Sequence, residues 1–109
     1  MDITDVIEEL TKTIKSRKNS CDQKSYVSSL LKSDVDKILK KIGEESTEVI
    51  LAVKTKENDK IIHEVSDLFF HLLVMLEKVD INFEKVLLEL KTRQGVSGII
   101  EKSNRKYSD

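Results

Sequence analysis

The 109-residue chain contains no proline, only three glycines and a single cysteine. Proline and glycine are the residues that most disfavour helix interiors. Their scarcity, with 36% charged residues, excludes a turn-rich fold and predicts a mostly helical, all-α chain. A lone Cys21 excludes an internal disulfide and fits a reducing, cytoplasmic setting. With no histidine within about 40 residues, Cys21 reads as an inert thiol rather than a nucleophile. There is no excess of basic charge, since the net charge is −1, so nothing favours a nucleic-acid backbone as partner. Apolar runs such as Leu72 to Leu76 are far shorter than the roughly 20 residues of a membrane span. The acidic start, M-D-I-T-D-V-I-E-E, is unlike a secretory signal. Neither a G-x-x-x-x-G-K loop nor a G-x-G-x-x-G turn occurs, so phosphates would have to be held through side chains and metals.

Carboxylates are what the chain does have in a pattern. Glu44, Glu45 and Glu48 form E-E-x-x-E, and Glu64 and Asp67 form E-x-x-D. Acids three apart share one face of a helix. The pairs Glu45–Asp67 and Glu48–Glu64 also lie symmetrically about residue 56. A chain reversal there would bring each pair level and let four oxygen donors converge between two antiparallel helices. Such a set suits Mg²⁺, with Mn²⁺ also possible. A di-iron bundle would need Glu-x-x-His pairs, and the residue three after Glu64 is Asp67. The plain alternative is a solvated helix face with ordinary ion pairs.

Apolar periodicity predicts helices over residues 3–17, 25–32, 34–54, 59–79 and 83–94 of a single domain spanning 1–109. Ser33 or Asp34, Asn58 or Asp59, and Asn82 are candidate N-caps. In the third helix, Val35, Ile38, Leu39, Ile42, Ser46, Val49, Ile50 and Val53 make a core-facing stripe roughly 120° wide. Glu45 borders it, with Lys41, Glu48 and Glu44 further round. The fourth helix is apolar round most of its circumference, which predicts burial on most sides. Its polar residues Glu64, Asp67, His71 and Lys78 fall within roughly 60° of one another. Ionised acids on a buried helix require a cation or a proton. His71 could contact a substrate, orient Asp67, or simply be a satisfied core residue. His63 lies off the polar stripe and has no expected role. Lys40, Lys41, Arg93, Lys102, Arg105 and Lys106 are candidate phosphate contacts, each of which could equally be a surface charge. The apolar fourth helix predicts a homodimer in which two helical hairpins form a four-helix bundle.

The segments S-Y-V-S-S-L-L (25–31), K-I-G-E-E-S-T-E-V (41–49), E-V-S-D-L-F-F-H-L-L-V (64–74) and R-Q-G-V-S-G-I-I-E-K (93–102) carry a resemblance. The acid pattern resembles the all-α nucleotide pyrophosphohydrolase (MazG-like) superfamily. K-I-G-E-E and the later S-G narrow it to the phosphoribosyl-ATP pyrophosphatase family. The resemblance implies Mg²⁺-dependent hydrolysis of 1-(5-phospho-β-D-ribosyl)-ATP to the AMP derivative and pyrophosphate, in histidine biosynthesis. It implies metal binding by Glu45, Glu48, Glu64 and Asp67, with Glu44 as an accessory ligand or the group orienting water; Glu44 or Glu48 is expected to position that water. Lys41, His71, Arg93 and Lys102 are the candidate substrate-binding residues. Ile99-Ile100 and Phe69-Phe70 depart from the family's commoner Leu-Glu and Leu-Tyr pairs. Many relatives are fused to a cyclohydrolase, which is expected to be a separate protein here. Two rival readings remain: a house-cleaning pyrophosphatase of ordinary (d)NTPs on the same fold, and a non-catalytic helical dimerisation module.

Overall fold

A computed structural model describes residues 2–19 and 25–94. Five helices follow one another: α1 (Ile3–Arg17), α2 (Tyr26–Lys32), α3 (Val35–Thr55), α4 (Asn58–Lys78) and α5 (Phe83–Arg93). No strand occurs among the described residues. Cys21, Gly95 and the tail bearing Lys102, Arg105 and Lys106 lie outside them.

Short polar side chains start the first three helices by accepting from backbone N–H groups that lack a partner in the first turn. Asp2 accepts from Thr4 N at 3.0 Å, Ser25 from Ser28 N at 3.2 Å and Asp34 from Asp36 N at 2.9 Å. The start of α4 differs from expectation. Lys56 turns left-handed at φ 62°, so Glu57 rather than Asn58 or Asp59 occupies the N-cap, without a side-chain cap. Thr55 Oγ1 instead accepts from Glu57 N at 3.2 Å. Asn82 stands at the N-cap of α5 as expected but makes no side-chain cap bond. Asp80 is the second left-handed residue, at φ 60°, and ends α4. Its carboxylate meets Lys18 Nζ at 2.5 Å, tying the end of α1 to the α4–α5 turn.

The reversal at Lys56 makes α3 and α4 an antiparallel hairpin, the most extensive helix pairing of the fold. The small α1–α2 layer covers only the half of this hairpin distant from the turn. There Ile14, Leu30, Leu31, Ile38, Leu73 and Val74 form the buried core, with Leu10, Val27, Ile42, Phe70, Met75 and Phe83 packed round it. Lys78 also serves this end, donating from Nζ to Leu31 O at 2.7 Å. That satisfies a carbonyl at the C-terminus of α2, which has no partner within its own helix.

The expected burial of α4 on most sides is not found within one chain. Ile62, Val65 and Phe69 are 63%, 46% and 38% exposed. The α3 stripe is likewise divided: Ile38 is buried, while Leu39, Ile50 and Val53 are exposed. Ala52, outside the stripe, is buried. The hairpin's side chains in the buried core, Ile38, Leu73 and Val74, lie at the end away from the turn, where α1 and α2 pack. No described helix is long and apolar enough to cross a membrane.

Two substitutions should move stability in opposite directions. Leu30→Ala opens a cavity at a fully buried position and should cost about 2–5 kcal/mol. Gly43 lies inside α3, where an added Cβ meets nothing within 4 Å, so Gly43→Ala should stabilise by about 0.5–1 kcal/mol. Urea unfolding monitored by circular dichroism measures both; equal midpoints for the three proteins would contradict this packing.

Candidate metal centre

Glu45 sits midway along α3 with its side chain 12% exposed, facing α4. Its Oε1 lies 2.5 Å from His71 Nδ1. That nitrogen is also 2.9 Å from the backbone carbonyl of Asp67, one turn earlier in α4. On the far side of the ring, Nε2 is 2.8 Å from Tyr26 Oη. Phe70 and Tyr26 contact the imidazole edge-on, at centroid distances of 5.2 and 5.7 Å. His71 is therefore held on every side by α2, α3 and α4.

This geometry sets the proton positions. Nδ1 faces two oxygens, a carbonyl and a carboxylate, so it carries a hydrogen. In the neutral ring Nε2 is then an acceptor, and Tyr26 O–H donates to it. The Nδ1–H is directed to Asp67 O. Glu45 Oε1 is close enough for an ion pair but completes no hydrogen bond and is fully buried. Among the side chains in contact with it, His71 is the one able to supply positive charge.

The surrounding charges act on the same carboxyl. Burial pushes the Glu45 carboxyl above its ordinary value; His71 and Lys41 oppose this, while Asp67 and Glu64 push the same way. Burial also raises the Tyr26 phenol, opposed by Lys41 and reinforced by Glu45, Asp67 and Glu44. The phenol thus remains a donor. Glu64 and Asp67 are half-buried on α4. One ligand atom from each, with one from His63, lies within 4.8 Å of the others. His63 Nε2 is 3.4 Å from Asp67 Oδ2.

Of the residues singled out from sequence, Glu45, Glu64, Asp67, Lys41 and His71 thus occupy one neighbourhood. Lys41 is half-buried one turn before Glu45, and Glu44 and Glu48 are exposed on α3. Arg93 donates from Nε to Glu89 Oε1 at 3.0 Å within α5. Lys102 is outside the described residues. Sequence reading overlooked two members. Tyr26 comes from α2, which is not part of the hairpin, so no register argument reaches it. His63 was detectable from its i, i+4 spacing to Asp67.

The donors fit a hard divalent cation: carboxylates crowded until one resists ionisation, with a buried oxygen lacking a partner. A cavity of about 390 Å³ between α1, α4 and α5 contains none of these acids. The acid cluster lies on the hairpin, away from that hollow.

Known proteins match this chain along nearly all its length. The family model described as phosphoribosyl-ATP pyrophosphohydrolase matches residues 7–94. A phosphoribosyl-ATP pyrophosphatase of Nitrosomonas eutropha is 48% identical over 103 residues, 94% of this chain and 88% of that protein. One of Geobacter metallireducens is 46% identical over 101 residues, 93% of each chain. One of Hydrogenovibrio crunogenus is 41% identical over 109 aligned residues, 96% of each.

The raised Glu45 carboxyl has a consequence for stability. A carboxyl that holds its proton more tightly folded than unfolded contributes stability fully below its ordinary value of 4.5. That contribution is lost as pH rises through the raised value. In EDTA, Glu45→Gln should therefore be more stable than wild type at about pH 7, with the gap narrowing towards about pH 4. Urea denaturation across that range measures it; a gap independent of pH would refute the crowding of this carboxyl.

Proposed function

This chain belongs to the phosphoribosyl-ATP pyrophosphohydrolase family, and from that premise we propose that it hydrolyses 1-(5-phospho-β-D-ribosyl)-ATP. The products are 1-(5-phospho-β-D-ribosyl)-AMP and pyrophosphate, in the second step of L-histidine biosynthesis. Glu45, Glu48, Glu64 and Asp67 hold Mg²⁺, or Mn²⁺ in its place, in a single cytoplasmic domain spanning 1–109. The observation that carries this reading is Glu45: a buried carboxyl facing other acids has no function in a bare ion-pairing surface.

Each residue then has a physical task. His71, fixed by Tyr26 and by the Asp67 carbonyl, keeps Glu45 from turning away. Glu44 and Glu48 are exposed on the same helix, free to accept a proton from an attacking water. Lys41, half-buried one turn before Glu45, adds positive charge where a polyphosphate meets the acids. Arg93 and Lys102 are further candidate phosphate contacts. A bound divalent cation offsets the combined negative charge and makes a coordinated water more acidic.

The apolar surface left open on one chain supports a homodimer. Ile50, Leu51 and Val53 on α3 and Ile62 and Val65 on α4 are exposed near the hairpin turn, with Phe69 further along α4. A second hairpin packed there completes a four-helix bundle. The net charge of −1 disfavours nucleic acid as a partner.

Product analysis tests the reaction. Phosphoribosyl-ATP should yield pyrophosphate only when a divalent cation, Mg²⁺ or Mn²⁺, is present, and Glu48→Gln should lower kcat/KM about a hundredfold or more. Faster hydrolysis of ordinary dNTPs would make the house-cleaning reading correct, and wild-type activity in Glu48→Gln would favour a non-catalytic module.

Light scattering tests the assembly. Wild type at micromolar concentration should have twice the chain mass of 12.5 kDa, and Ile62→Glu should shift it to the monomer. A monomeric wild type would end this assignment.

A further inference from the structure

Tyr26 is nearly half exposed, at 46%, yet its hydroxyl reaches a buried imidazole. Oη is 2.8 Å from Nε2 of His71, a residue only 6% exposed. Both ends of α2 are pinned without that contact. Ser25 caps the start by accepting from Ser28 N at 3.2 Å. Leu30 and Leu31 lie in the core, and Lys78 donates to Leu31 O at 2.7 Å. The helix therefore delivers the hydroxyl to His71, and the hydroxyl is not needed to place the helix.

The hydroxyl selects among the states open to that ring. A half-turn about Cβ–Cγ would exchange Nδ1 with Cδ2 and Nε2 with Cε1, so that Asp67 O and Tyr26 Oη would both face carbon. The other neutral tautomer would turn the Nδ1 lone pair towards Asp67 O at 2.9 Å and Glu45 Oε1 at 2.5 Å. A donor fixed at Nε2 opposes both changes, because either would leave buried polar groups unpaired. We propose that Tyr26 is a positioning residue for the hydrolysis: its hydroxyl holds the His71 ring with Nδ1–H towards Asp67 O and Glu45, and through that ring keeps the Glu45 carboxylate in place. This rests on the reading that Glu45 belongs to the hydrolytic centre, and adds to it a residue from outside the hairpin that acts without touching substrate. The plainer account, a phenol ring that merely covers the imidazole, gives the oxygen atom no role, and phenylalanine would serve equally well.

Tyr26→Phe separates the two accounts, since it keeps the ring and removes only the oxygen. Its kcat on phosphoribosyl-ATP should fall about tenfold or more, with KM changed by less than about twofold. In a His71→Gln background the same substitution should cost less than about twofold, because its route to Glu45 is already gone. The readout independent of activity is nitrogen-15 NMR of the full, metal-free chain labelled at histidine, at about pH 8, above the ordinary imidazole value. The chain has two histidines, and His63→Gln identifies the signals of His71. Wild type should show Nδ1 protonated and Nε2 as a hydrogen-bonded acceptor. Tyr26→Phe should lose the hydrogen-bonded shift at Nε2 and populate the second tautomer. A proton on Nε2 in wild type, or wild-type kcat in Tyr26→Phe, would overturn the proposal and leave the hydrolase reading intact. If His71→Gln is too unstable to assay, these two measurements decide alone. Absence of phosphoribosyl-ATP hydrolysis by wild type would end both.

Discussion

A buried carboxylate facing an imidazole across two antiparallel helices is the constraint on which the rest of this molecule turns. Glu45 and His71 meet at 2.5 Å because α3 reverses into α4 at Lys56, the left-handed residue at φ 62°. A reversal one residue earlier or later would rotate α4 by about 100° against its neighbour. His71 and Asp67 would then leave the face that Glu45 addresses. The local backbone choice at one lysine and the electrostatics of the acid cluster are thus a single problem with a single solution.

The core supports that arrangement from one side only. Leu30 and Leu31 of α2, Ile14 of α1 and Leu73 and Val74 of α4 pack around Ile38. This packing places Tyr26, at the start of α2, against His71. Apolar burial at the α1–α2 end therefore fixes the proton on the imidazole that faces Glu45. The opposite end, with Ile50 and Ile62 both more than half exposed, has no such cover from its own chain. The molecule divides into a half that α1 and α2 cover and a half whose apolar surface stays open.

Much of this was legible beforehand, for reasons that differ by element. The cap at Asp34 marks a helix start because a short oxygen side chain satisfies first-turn N–H groups in only a few conformations. Glu57 was missed as the start of α4 because its selection depends on the left-handed turn at Lys56 rather than on its side chain. The burial of Val53 and Ile62 was misread because periodicity reports which face is apolar, not whether anything covers it. His71 was read as a substrate contact, an orienter of Asp67 or a satisfied core residue; it is 6% exposed and in contact with Glu45.

The sequence by itself determined the helices, the antiparallel partners and the spacing that places Glu45 opposite the Glu64–Asp67 segment, because these follow from local periodicity and from symmetry about one turn. Only the tertiary structure decided that Glu45 is the acid withdrawn from water and that Tyr26 reaches His71. Each of those depends on side-chain directions and on which surfaces lose solvent when separate helices meet. No one-dimensional pattern encodes desolvation, since it is a property of neighbours that the chain acquires only on folding.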